Sequence, residues 1–179
     1  MDVRLPFDAP GAESEFSRVE VRRSARRRKT ISAEIVGDSL VVSVPERMTK
    51  AEEQRWVSRM TARTAERKRK DRLNAERGLD RRAALLADTY LGGVRAREIL
   101  WTATQRTRWG YCDTDERRIK LSLALCDYPE WVRDYVLVHE LAHLMVPDHS
   151  DAFWELVNRY PLTERARGFL IAKGMEEGP

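Results

Sequence analysis

The 179-residue sequence predicts an α+β domain, on three observations. Segments with strand-like alternation cluster between residues 16 and 44 and again between 98 and 123, and each cluster reads as a small antiparallel sheet. Amphipathic stretches bounded by helix-start and helix-stop residues separate and follow these clusters. One helical stretch, running to about Met145, is apolar on nearly every side, the pattern of a helix at the centre of a domain.

Residues 1–16 are rich in Pro, Gly and acidic side chains and read as a flexible tail. Phe16 to Arg22, Thr30 to Val36 and Ser39 to Val44 alternate or gather Val and Ile, with Gly37-Asp38 as a hairpin turn between the last two. Thr49 followed by Glu52 matches a capping box, which starts a helix to about Arg72. Its apolar residues Trp56, Val57 and Met60 fade beyond Thr64, so its later turns pack on one side only. A second helix is expected from Asp80 to Leu91, stopped by Gly92-Gly93. Glu98 to Thr104, Arg106 to Cys112 and Arg117 to Leu123 read as strands, the last two joined by Asp113-Thr114-Asp115-Glu116. Asp127 with Glu130, and Pro129 between them, mark the start of the apolar helix, and Pro147 ends it by excluding Val146 from helical geometry. Asp151 to Arg159 and Thr163 to Lys173, with Gly174 as C-cap, complete the elements.

The composition supports one domain or a core domain with an appendage, with 35% charged residues on the surface of a compact core. No apolar run approaches the length of a membrane span and residues 1–16 contain no apolar leader core, so the expectation is a cytoplasmic protein with no membrane partner. Cys112 and Cys126 form no disulfide framework and no CxxC pair, and both are expected to be small buried hydrophobes. The oligomeric state is not legible.

The apolar helix contains His139-Glu140-Leu141-Ala142-His143. Side chains at i and i+4 share a helix face, so both imidazoles reach one ion at the roughly 2.0–2.1 Å of a zinc–nitrogen bond. Glu140 lies about 100° further round the helix, where it reaches a water molecule without becoming a ligand. After the break at Pro147, His149 is the remaining histidine of the chain and the available third imidazole. Three imidazoles leave one coordination position open, as in catalytic zinc sites. The bland alternative is a pair of hydrogen-bonded core histidines with a surface His149, and it is disfavoured because burying two imidazoles and a carboxylate without compensation is costly. The reading is therefore one Zn2+ ion on His139, His143 and His149 with Glu140 as general base. It divides the chain into a tail (1–16), amino-terminal strands and basic helices packed on the core (17–95), and a zinc-binding catalytic domain (96–179).

TRWGYC (Thr107 to Cys112), IKLSLAL (Ile119 to Leu125), YVLVHELAHL (Tyr135 to Leu144) and HSDAFWELV (His149 to Val157) occur in an order and spacing that resembles the YgjP-like metallopeptidase family, itself related to SprT-like zincins. The resemblance implies a zincin-like metallopeptidase fold, the same ligand set and the same catalytic carboxylate, acting on a peptide or protein substrate. It also implies an alternative, since some members are credited with pyrophosphatase activity on UTP; a further alternative is a zinc-dependent, nucleic-acid-associated binding protein with little turnover. Family members usually read WGSC where this chain has Tyr111. The strand around Arg106 to Cys112 is the candidate edge for an extended peptide. Tyr111 and Tyr160 are the oxyanion-stabilising candidates. Trp109, Trp131 and Trp154 read as packing residues in preference to a substrate-stacking set. Asp148, Asp151 and Glu155 read as helix-cap and surface charges in preference to partners of an imidazole.

Arg22, Arg23, Arg26, Arg27, Arg28 and Lys29 crowd one connection, and Arg55, Arg59, Arg63 and Arg67 form an i, i+4 ridge on the first long helix. Both a solvated face and a surface for weak nucleic-acid binding look like this, and the solvated face is the preferred reading.

Overall fold

The computed structural model describes residues 15–76, 78–103 and 108–174. Most of the expected tail lies outside that set, as do residues 104–107 of the two strands expected around them. The chain forms two compact units, residues 1–71 and 72–179, divided within helix α1.

In the first unit, β1 (Arg18–Ser24), β2 (Ser32–Val36) and β3 (Ser39–Pro45) form a sheet in the order β1-β3-β2. The central strand is the apolar one, with Leu40, Val42 and Val44 fully buried, while the two edge strands are mostly exposed. β2 and β3 form the predicted antiparallel hairpin through Gly37, whose φ of 63° lies in the left-handed region. The sheet is not wholly antiparallel, however: β1 runs parallel to β3, with Arg18 opposite Ser39 and Ser24 opposite Pro45. The hairpin leaves one edge of β3 free, and β1 occupies it. The chain reverses twice on the way from β1 to β3, so the two strands point the same way. Phe16, the last residue of the expected tail, is buried beneath this sheet with Val57 and Ala65 of α1 (Lys50–Ala75). The capping box forms as predicted: the Glu52 amide donates to Thr49 Oγ1 at 3.3 Å, and the Thr49 amide donates to Glu52 Oε2 at 3.1 Å.

The second unit begins with the end of α1 and with α2 (Gly78–Tyr90), which ends where Gly92 and Gly93 take positive φ. Its sheet repeats the pattern of the first. β4 (Glu98–Thr102), β5 (Gly110–Asp113) and β6 (Arg118–Ser122) lie in the order β4-β6-β5, with β4 parallel and β5 antiparallel to β6. The predicted polar turn joins β5 to β6, closed by the Glu116 amide donating to Asp113 Oδ1 at 3.0 Å. The outer edge of β4 is engaged by Asn74, whose side-chain amide accepts from Trp101 N at 2.8 Å and donates to Trp101 O at 3.3 Å.

A 3₁₀ turn, Leu123–Asp127, precedes α3 (Glu130–His143). Asp127 closes that turn and Pro129 holds the N-cap position, so the expected Asp127 cap on α3 does not form. Val132 and every residue from Asp134 to Ala142 are buried, as the all-round apolar pattern predicted. α3 packs against α2, β5, β6, α4 (Asp151–Val157) and α5 (Thr163–Ala172). Burying an aliphatic side chain in such a helix contributes about 1.5–3 kcal/mol relative to exposing it. The buried Asp134 is tied to α2 by a two-pronged interaction with Arg82, whose guanidinium also pairs with Glu130 at 2.8 Å. Among the described residues no helix is long and apolar enough to cross a membrane.

Candidate metal centre

The last turn of α3 carries His139 and His143 one helical turn apart, so both imidazoles project from one face. The chain leaves the helix at Leu144, and a short turn follows in which the Ser150 amide donates to Asp148 Oδ1 at 3.2 Å. That turn brings His149 back over the same face. His149 Nε2 lies 3.2 Å from His139 Nε2, and ring centroids of the three imidazoles are 4.7–5.2 Å apart. One ligand atom from each ring can be chosen so that all lie within 4.8 Å of one another. Two nitrogens on a tetrahedral ion with bonds of about 2.0–2.1 Å stand roughly 3.3 Å apart, so the His139–His149 pair already has the required separation.

The site's floor is Phe153 of α4, fully buried, with its ring centroid 4.4–4.9 Å from all three imidazoles and stacked on His143. Trp154 stacks on His149 at 5.9 Å, and the Arg167 guanidinium covers Trp154 at 4.6 Å. Aromatic walls exclude water from one side of the imidazoles. Burial, reinforced by the neighbouring His143 and His149, pushes His139 down to about 3, and burial also lowers His143. Neutral imidazoles offer the lone pairs a cation needs. Among the described residues the buried Nδ1 of His139 has no hydrogen-bond partner, whereas His143 is within reach of the Val146 and Pro147 backbone carbonyls. Clustered, desolvated nitrogen donors of this kind fit a shared metal ion better than they fit a closed core.

Glu140 is 6% exposed, and burial pushes its carboxyl up to about 8, with Arg108 opposing. Its position is set by Gly110 of β5. A Cβ built at Gly110 would lie 2.2 Å from Glu140 Oε1 and 2.7 Å from its Cδ, so only a glycine lets the strand approach the carboxyl this closely. Gly110 and Phe153 are the site residues the sequence reading did not single out. The WGYC motif contained the signal for Gly110 without indicating what its missing side chain makes room for.

The other candidates separate clearly. Tyr111 stands on β5, 41% exposed. Tyr160 lies away from the imidazoles, donating to Trp131 O at 3.0 Å and meeting Tyr90 edge-on. Trp109 is buried in the core. Asp148 caps the turn before α4, and Asp151 lies in the first turn of that helix. Cys112 and Cys126 are half-buried against the core, and burial pushes the Cys112 thiol up to about 12.

Residues 74–170 match the family model described as YgjP-like, metallopeptidase domain, a span that contains the three imidazoles, Glu140 and Gly110. Among solved structures, the crystal structure of the metallopeptidase zymogen of Pyrococcus abyssi abylysin is similar at 22% identity and a TM-score of 0.49, the match covering 54% of this chain and 96% of that one. Curated proteins give no match. Since the family model spans more than half of its residues, the chain belongs to the YgjP-like metallopeptidase family.

Proposed function

We propose that the chain is a zinc peptidase in which His139, His143 and His149 hold one ion and Glu140 is the general base. The observation that carries this reading is the convergence of three imidazoles beside a buried carboxylate on the same helix. An all-imidazole donor set with room for a fourth ligand suits zinc. Bound there, zinc supplies Lewis acidity, bringing the pKa of a water molecule to roughly 7 and offsetting charge that develops on a carbonyl oxygen.

The remaining steps belong to the chain's own residues. Glu140, made more basic by burial and held against Gly110, takes the proton from the attacking water and passes it to the departing amide nitrogen. Among the described residues β5 pairs with β6 on one side only, and the opposite edge of its sheet, on β4, is engaged by Asn74. The outer edge of β5, next to Glu140, is therefore the place where an extended peptide adds as a further strand. Tyr111 on that edge replaces the small residue usual in the family and meets the substrate's side chains.

Metal content and hydrolysis test this together. Wild type and Glu140→Gln should each carry about one zinc, His139→Ala should carry none, and Glu140→Gln should cut turnover of an unfolded protein about 10²–10⁴-fold. A wild type that binds no zinc, or a Glu140→Gln variant as active as wild type, overturns the reading. Pyrophosphate release from UTP, measured on the same proteins, decides the nucleotide alternative: release abolished by Glu140→Gln with no peptide cleavage establishes it instead.

A further inference from the structure

We infer that the outer face of α1 is a nucleic-acid-binding surface, gripping the phosphodiester backbone through Arg55, Arg59, Arg63 and Arg67. The charge of the chain is segregated between its two units. Residues 1–71 hold 17 Lys and Arg against 12 Asp and Glu, a net of +5, whereas residues 72–179 hold 16 against 17, a net of −1. The whole positive excess therefore lies outside the unit that carries the metal centre, and outside the span 74–170 that matches the family.

Within the first unit the four arginines are exposed at i, i+4 spacing, on the side of α1 opposite its buried residues Val57, Thr64 and Ala65. At 1.5 Å per residue they recur every 6 Å or so and span about 18 Å, the length over which one strand of a duplex presents about five phosphates. A face that serves only for solvation normally interleaves acids at i±4, because like charges at that spacing repel. Here acids are fewer than arginines, and two of them have partners of their own. Glu52 caps the helix, and Glu53 pairs with Arg23 at 2.7 Å. Among the described residues none of the four ridge guanidinium groups is in an ion pair; the acids beside them are Glu52 next to Arg55, Glu66, and Asp71, which pairs with Lys70 at 3.1 Å. Trp56 stands next to the ridge, 38% exposed, with the Arg59 guanidinium 5.0 Å from its ring centroid, an aromatic surface of the kind bases stack on. The connection with exposed Arg26, Arg28 and Lys29 leaves β1 beside the first turn of the same helix, where the Arg23–Glu53 pair joins the two.

Fluorescence anisotropy of the full chain with a labelled 20-nucleotide single strand and the matching duplex tests this. Binding at 50 mM NaCl should fall about 50-fold for the single strand and about 150-fold for the duplex at 200 mM, as expected when four phosphates are neutralised. Replacing all four arginines with Gln, a good helix former, should weaken binding at least as much, while zinc content, peptidase activity and the thermal melt stay as in wild type. Glu66→Gln should tighten binding several-fold. Affinity indifferent to salt, or a four-Gln variant that melts like wild type and binds equally well, overturns the inference. So does binding to phosphatidylcholine–phosphatidylserine vesicles with none to either DNA, which would assign the ridge to a membrane surface. Because zinc loading and peptidase activity are read on the same samples, failure of this inference is distinguishable from failure of the zinc-peptidase reading.

Discussion

Glu140 holds a position with two conflicting demands, since a buried carboxylate is costly and a useful base must be reachable. The fold meets both by seating the carboxyl against a bare stretch of backbone at Gly110, which shields it without covering it with a side chain. Gly110→Ala is therefore expected to push the carboxylate out of place and lower turnover by about 10²-fold or more, the cost of a displacement on the order of 1 Å, while zinc content is retained. Metal analysis beside steady-state kinetics checks this, and an active Gly110→Ala variant would show that the carboxylate's placement does not matter. HELAH made Glu140 legible from the sequence, because helical periodicity alone puts the carboxylate beside the two imidazoles. Gly110 and Phe153 were not, because their role comes from contacts made across elements.

Among the elements, α3 was the most legible, since a helix with apolar residues on all sides has only the interior to occupy. What its pattern did not convey is that Asp134 lies inside with the apolar residues. The partner that makes this tolerable, Arg82, is on α2, 52 residues away. Removing the cation strands a buried carboxylate, so Arg82→Ala should cost about 2–3 kcal/mol, toward the low end for a broken buried pair because the Arg82 side chain is 36% exposed. Urea denaturation measures it, and an unchanged midpoint would show that water already solvates Asp134. The sheets were legible as strands but not as topologies. Alternation marks which residues form strands, yet the parallel pairing of β1 with β3, and of β4 with β6, is settled by which edge is free after the hairpin closes.

For the whole molecule, removing the metal should expose the cost of the buried site as a pH dependence of stability. In the metal-free protein His139 titrates near 3 when folded and about 6.5 when unfolded, so the unfolded state binds the proton more readily and stability falls as pH drops below about 6.5. Glu140 titrates near 8 when folded against an ordinary 4.5, so the folded state holds the proton more tightly and stability falls as pH rises above about 4.5. Between these limits the two slopes oppose each other, and from about 6.5 to 8 Glu140 alone should cost roughly 2 kcal/mol. Thermal melts of chelated protein across pH check this: Glu140→Gln should flatten the alkaline limb, and an alkaline limb left unchanged in that variant contradicts the assignment. The sequence by itself determined the elements and the chemistry-bearing residues of the α3 helix, because periodicity, capping and i, i+4 spacing are local and act through neighbouring residues. Tertiary structure alone decided the order of strands in each sheet, the bare strand beneath Glu140, the aromatic floor under the imidazoles and the partner of Asp134, because each depends on groups far apart in the chain meeting in a packed core.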